Sequence, residues 1–301
     1  FQVAEETVDE MWDLAEGRRE PYDPSTAAAT GAQLSRFLDL YKECTETYFK
    51  SEQGRTHLAR YAAGREEGMR NFERALQARD QGLDYTDLVL NGLLPHNDTP
   101  DNRQRGAWIM LAPVFKGSVK AKYEGAGWHT PEDWPIVAEV ILDFITTCYD
   151  DPGNLESAID TFLGDPQSKG FQIAALTPIL NAVRPDDFLI FNLKSRLTLH
   201  YLTGVSFKQK LVEYPAANEA QRALIEDVQA TLADTAVEGI PHADLFDCFS
   251  HWLVAIKKVD PKRKFWTIGG IDGLGGASLA VDVDSVGIGS VDIGDLAEMS
   301  S

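Results

Sequence analysis

The apolar positions of this chain recur mostly at helical spacing. From Leu34 they fall at Leu34, Phe37, Leu38, Tyr41, Cys44 and Tyr48, and a charge-rich stretch continues the period through Tyr61, Met69, Phe72 and Leu76. Gly92, Pro95, Asn97, Asp98 and Pro100 make residues 91–102 a loop. Beyond it the pattern predicts a helix carrying Trp108, Met110, Leu111 and Phe115. Thr130-Pro131-Glu132-Asp133 reads as a helix start, with Thr130 as cap and Pro131 in the first turn. In the helix it opens, from Trp134 to about Tyr149, the positions Ile136, Val137, Val140, Ile141, Phe144 and Ile145 cover most of the circumference. That pattern suits a helix in the middle of a bundle. Further helices are predicted near 154–163, 170–183, 193–203, 215–234 and 241–258, with Phe188 to Phe191 as a short extended piece between the second and third.

The texture changes near Lys264. Phe265-Trp266-Thr267-Ile268 has strand character, and the tail from Gly269 holds eight glycines, six acids and no base, with Val281, Val283, Val286 and Ile288 as a second short strand. The expected fold class is therefore mainly α: a multi-helix bundle domain over 1–258, followed over 259–301 by a partial, β-containing segment.

Bulk composition narrows the function. The net charge of −19 and pI near 4.6 oppose a phosphate-binding surface, yet the bases are not evenly spread. Between Pro166 and Lys210, Lys169, Arg184, Lys194, Arg196, Lys208 and Lys210 face only Asp186 and Asp187. Between Lys257 and Lys264, Lys257, Lys258, Lys262, Arg263 and Lys264 face only Asp260. No apolar run is long enough for a membrane span, and acids stand where a signal peptide would be basic, so a cytoplasmic protein without membrane contact is expected. Phe1 in place of Met suggests a fragment. The odd, scattered Cys44, Cys148 and Cys248 read as buried thiols.

Catalytic motifs do not emerge. Gly270 to Ser278 is glycine-rich but lacks the lysine of a phosphate loop, and no metal-ligand spacing occurs. His251, beside Trp252 on an apolar helix, reads as a satisfied core histidine rather than a base. The informative stretch is Lys169 to Arg196. Gly170, read as a helix start beside Lys169, would let helix N–H groups meet a phosphate. Arg184-Pro185-Asp186-Asp187 turns the chain, Phe188 to Phe191 enters the core, and Asn192 caps the next helix. Lys194 and Arg196, with Ser195, then sit in a first turn where the dipole disfavours cations. Two explanations stand: an external polyanion compensates them, with both cations exposed, or they pair with acids of the protein while Ser195 packs. The basic-island site comprises Lys169, Gly170, Asn192, Lys194, Ser195 and Arg196 together with Lys262, Arg263 and Lys264.

Several motifs also occur in a familiar order: Asn91-Gly92-Leu93-Leu94-Pro95-His96, Asn102 to Trp108, Gly125-Ala126-Gly127-Trp128, Ser168 to Gln172 with Leu176 to Asn181, Asn192 to Arg196, and Leu245 to Leu253. Over roughly residues 35 to 301 this set resembles the N-terminal region of McrB-like proteins, the AAA+ GTPase or ATPase subunits of modification-dependent restriction systems in antiviral defence. The resemblance implies a helical region followed by an EVE/PUA-like β module that senses modified bases, here begun at Phe265 and truncated. Where family members carry Gly-Trp this chain has Gly289-Ser290. It further implies DNA, modified or not, as partner, a McrC-like nuclease subunit, oligomer formation, and GTP or ATP with magnesium only in a downstream motor domain. The expected function is thus non-catalytic nucleic-acid sensing or assembly. A helix-hairpin-helix DNA-glycosylase-like protein is the alternative, although Asn192 stands where such enzymes hold an essential Asp; a helical protein-interaction module is the third reading.

Overall fold

The computed structural model describes residues 31–109, 115–234 and 239–259. Eleven α-helices account for most of them, and among the described residues there is no strand, only single bridges from His96 to Ile109 and Phe115. In chain order the helices are α1 (Gly31–Cys44), α2 (Glu52–Asp80), α3 (Thr86–Gly92), α4 (Pro100–Gln104), α5 (Val119–Gly125), α6 (Trp134–Asp150), α7 (Leu155–Gly164), α8 (Ile173–Val183), α9 (Leu193–Thr203), α10 (Tyr214–Asp234) and α11 (His242–His251). Two π-helical turns, Thr45–Phe49 and Trp252–Ile256, follow α1 and α11. The expected helical architecture is present; the strands expected after Lys264, together with Lys262, Arg263 and Lys264, lie outside the described residues. No described helix is long and apolar enough to cross a membrane.

The longest helix, α2, is capped by Ser51, whose hydroxyl accepts from the Gly54 amide at 3.0 Å. Its buried stripe, with Leu58, Tyr61, Gly64, Gly68, Phe72 and Ala75, is rich in small residues, which lets a second helix come close. That partner is α8, which is buried along nearly its whole length and also packs on α6. At the crossing a Cβ on Gly68 would lie 2.8 Å from both the Ala182 Cβ and Trp108 Cζ2. On the far side α11 packs against α2, α9 and α10. The three cysteines are free and buried, as the sequence suggests.

Three local expectations are corrected. Trp108 and Phe115 are not on a helix: both lie in irregular chain bordering the His96 bridges, and residues 110–114 between them lie outside the described residues. The start of α6 is organised in reverse, since Asp133, not Thr130, is the cap residue, and its carboxylate accepts from the Thr130 amide (2.7 Å) and hydroxyl (2.9 Å). Finally, α6 is buried on one side only, because Ile136 is 50% exposed. Its apolar residues cover most of the circumference, but the face that carries Ile136 is left in contact with solvent.

Candidate functional site

Between α8 and α9 the chain runs without helix or strand from Arg184 to Asn192, and Phe188, Leu189, Ile190 and Phe191 are all buried. An extended segment in a core must find partners for its peptide groups, and with no neighbouring strand it takes them from side chains. The Leu189 amide donates to Asn218 Oδ1 and its carbonyl accepts from the Tyr214 hydroxyl. The Phe188 carbonyl accepts from Asn181 Nδ2, and the Phe191 amide donates to the Thr177 hydroxyl at 3.1 Å. Ser195, with no exposed surface, directs its hydroxyl to the Ile190 carbonyl and also accepts from the Asn192 amide. Asn192 returns the bond by accepting from the Lys194 and Ser195 amides, which completes a reciprocal cap at the start of α9. This plug fixes where Lys194 emerges.

Lys194 turns inward, contrary to the expectation that it is exposed. Its ammonium donates to His251 Nδ1 at 2.9 Å and lies near Asp247, whose carboxylate accepts from the Tyr61 hydroxyl and from the Asn192 side chain. The anion that offsets a cation in the first turn of α9 is therefore internal. The network extends from α11 to α2. His57 is edge-on to His251, with ring centroids 4.6 Å apart, and its Nδ1 meets the Tyr48 hydroxyl at 2.9 Å. Arg65 grips Asp244 through two bonds of 2.7 and 2.6 Å. Both π-helical turns border the cluster, one holding Tyr48 and the other following His251; such insertions often mark functional positions.

Burial sets the proton affinities here. It raises the Asp247 carboxyl to about 6, partly countered by the Tyr61 and Asn192 hydrogen bonds and the Lys194 charge. Desolvation lowers His57 to about 3 and His251 to about 4, with Lys194 adding to both. Lys194 is itself lowered by burial, and Asp247 opposes that shift. Near neutrality the two imidazoles are thus neutral, and His251 Nδ1 can accept a hydrogen bond from the lysine ammonium. Among the described residues no group of His, Cys, Asp and Glu is arranged to hold a metal ion.

Lys169 and Gly170 belong to a different structure. They lie in the loop before α8, which begins at Ile173, so Gly170 is not the helix start expected of it. Gly170 has φ +90°, and a Cβ there would sit 2.5 Å from Trp128 Cε3, so glycine is required both by backbone and by the indole lying on it. Trp128 is presented by the end of α5. The Gly127 amide (φ +66°) donates to the Glu124 carbonyl and the Trp128 amide to the Tyr123 carbonyl, both at 3.0 Å, while the Tyr123 and Trp128 rings meet at 5.1 Å. This is a Schellman ending with its apolar contact. Two further bonds tie the loops together: Tyr123 hydroxyl to the Gly170 carbonyl at 2.7 Å, and His129 Nε2 to the Lys169 carbonyl at 3.0 Å. Lys169 is exposed and makes no ion pair among the described residues, and 37% of Trp128 is exposed.

The structure therefore separates the predicted residues by environment. Asn192, Lys194 and Ser195 join an internal polar network, Arg196 is partly buried with Nη1 on the Phe207 carbonyl, and Lys169 with Gly170 frames an exposed indole. Sequence reasoning did not name Asp247, His57, Tyr61 or Tyr48 as site residues: Tyr48 and Tyr61 are read there only as apolar positions of helices. The spacing of His57, Tyr61 and Arg65 on α2, and of Asp244, Asp247 and His251 on α11, places each set on one helix face. No protein-family model, curated protein or solved structure matches this chain.

Proposed function

We propose that this chain is the non-catalytic nucleic-acid-sensing or assembly region of a McrB-like restriction NTPase. The ordered motif set supports the family. In this reading GTP or ATP with magnesium belongs to a downstream motor domain, and a McrC-like nuclease is recruited through the parent protein. What supports nucleic acid as the partner is the Trp128–Lys169 surface: a rigidly mounted, exposed indole beside a lysine that makes no ion pair among the described residues. Exposed Lys122, whose ammonium lies 5.9 Å from the Phe115 ring, adds positive charge on α5. The nearby carboxylates of Glu124, Asp133 and Asp165 accept hydrogen bonds from Trp134 Nε1, Thr130 and the Gln167 amide, respectively, which orient them but leave their charge in place. Lys194 serves this reading by holding α9 in place rather than by touching phosphate. The test is a titration of labelled DNA at several salt concentrations. Phosphate contacts predict affinity falling with salt and a shallower slope for Lys169→Glu, whereas an apolar protein-binding surface predicts no DNA affinity at any salt.

One observation favours the glycosylase-like alternative: Asp247 brings to Asn192 and Lys194 the carboxylate that Asn192 itself lacks. Its test is base excision on damaged duplexes. Turnover abolished by Asp247→Asn would favour the enzyme; its absence leaves the non-catalytic reading in place.

A further inference from the structure

Resting on the nucleic-acid reading above, we propose that the exposed part of the Trp128 indole is a stacking site for an unpaired base, with Lys169 and Lys122 receiving the flanking phosphates, so that the chain senses single-stranded rather than duplex nucleic acid. Among the described residues Trp128 is the only aromatic side chain in the set of large apolar groups that remain exposed. An indole at the surface forgoes burial energy, and this one is held there by several independent constraints. The Schellman ending fixes its backbone, Tyr123 buttresses the ring from one direction, and the Cβ-free backbone of Gly170 supports it from another. The Tyr123 and His129 bonds to the carbonyls of Gly170 and Lys169 then hold the backbone of Lys169 and Gly170 in place next to it. A surface tryptophan that merely filled a gap would not need two left-handed glycines, Gly127 and Gly170, on the two loops that meet beneath it.

The geometry discriminates among nucleic acids because a duplex keeps its base faces in the stack and offers an indole only edges and phosphates. An unpaired base has a free face, and its stacking on an aromatic ring is tolerant of sequence. Two lysines supply a salt-dependent contribution too small to hold a duplex firmly by itself.

The experiment titrates the 301-residue chain into labelled oligo-dT of roughly 12 nucleotides, within the usual site size of such grooves, and into a duplex of the same length. Anisotropy and tryptophan emission are read together. Oligo-dT is expected to bind at least about tenfold more tightly than duplex. Trp128→Leu should lose about tenfold in oligo-dT affinity and the emission change, and Trp128→Phe should recover most of the affinity. The Phe variant separates loss of stacking from loss of fold, as does an unchanged thermal melt. Equal binding of both DNAs, unaffected by Trp128→Leu but weakened by Lys169→Glu, would overturn the stacking site and leave the nucleic-acid reading standing. Binding of neither DNA at low salt would remove both and point to a protein partner.

Discussion

The polar seam between α2, α9 and α11 makes stability depend on pH in a way that one substitution should change by a calculable amount. Between about pH 4.5 and 5.5 the histidines of the unfolded chain, with pKa near 6.5, are protonated, while folded His57 at about 3 and His251 at about 4 are not. Each histidine therefore takes up a proton on unfolding, and its contribution to stability, complete above pH 6.5, is lost as the pH falls. Asp247 acts oppositely. Folded, it holds its proton up to about 6, whereas the unfolded carboxyl loses it near 3.9, so its contribution is complete at low pH and is lost as the pH rises through 6. Two protons gained against one released leave a net uptake of one. The contribution of these three groups to the unfolding free energy should then fall by about 1.4 kcal/mol for each pH unit of acidification in this window. Asp247→Asn removes the opposing group while its amide oxygen can still accept from Tyr61, so the slope should steepen by about 1.4 kcal/mol per unit relative to the parent. His57→Gln should flatten it by about the same amount. Urea unfolding at half-unit pH steps, comparing variant with parent, cancels titrations elsewhere in the molecule. If Asp247→Asn and the parent give parallel lines, the assignment of a retained proton to Asp247 is wrong.

Other expectations follow from packing and from the plug. Gly68→Ala places a methyl 2.8 Å from Ala182 and Trp108 at the α2–α8 crossing, so despite alanine's better helix propensity it should cost about 1–3 kcal/mol, read as a lowered urea midpoint. Asn218→Leu leaves the Leu189 amide and the Asp187 carbonyl without the partners they now have at 2.9 Å, and should destabilise by about 2–4 kcal/mol in the same measurement. The thiols of Cys44, Cys148 and Cys248 are all buried and all shifted upward by desolvation; iodoacetamide should label them only after unfolding, and rapid labelling of the native chain would contradict their placement.

Where local chemistry decides the outcome, the sequence is readable. The periodicity of α6 to α10 gives elements and ends close to those observed, and the cap at Asn192 and the entry of Phe188 to Phe191 into the core follow from residues within a few positions of each other. Where the outcome depends on distant chain, it is not. Trp108 is apolar enough to suggest a helix, but its amide is taken by the Asn91 carbonyl and its own carbonyl by the His96 amide, a pairing that no local window contains. Likewise Lys194 and Arg196 look exposed in a basic stretch because Asp247 and His251, which receive Lys194, lie more than fifty residues later. Gly170 shows the same limit: a glycine beside a lysine suggests a phosphate cradle until Trp128, from another loop, is found resting on it.

The segment from Phe188 to Phe191 has one more consequence. A strand in a sheet can slip by two residues and find equivalent partners, because every peptide unit of its neighbour is alike. Here Thr177, Asn181, Tyr214 and Asn218 are matched to particular amides and carbonyls, Asn218 and Thr177 to two each. A shift in either direction would misalign these pairings together. Inserting or deleting a single residue at this point should therefore be far more damaging than lengthening a surface loop, and the segment offers no free edge on which another chain could build.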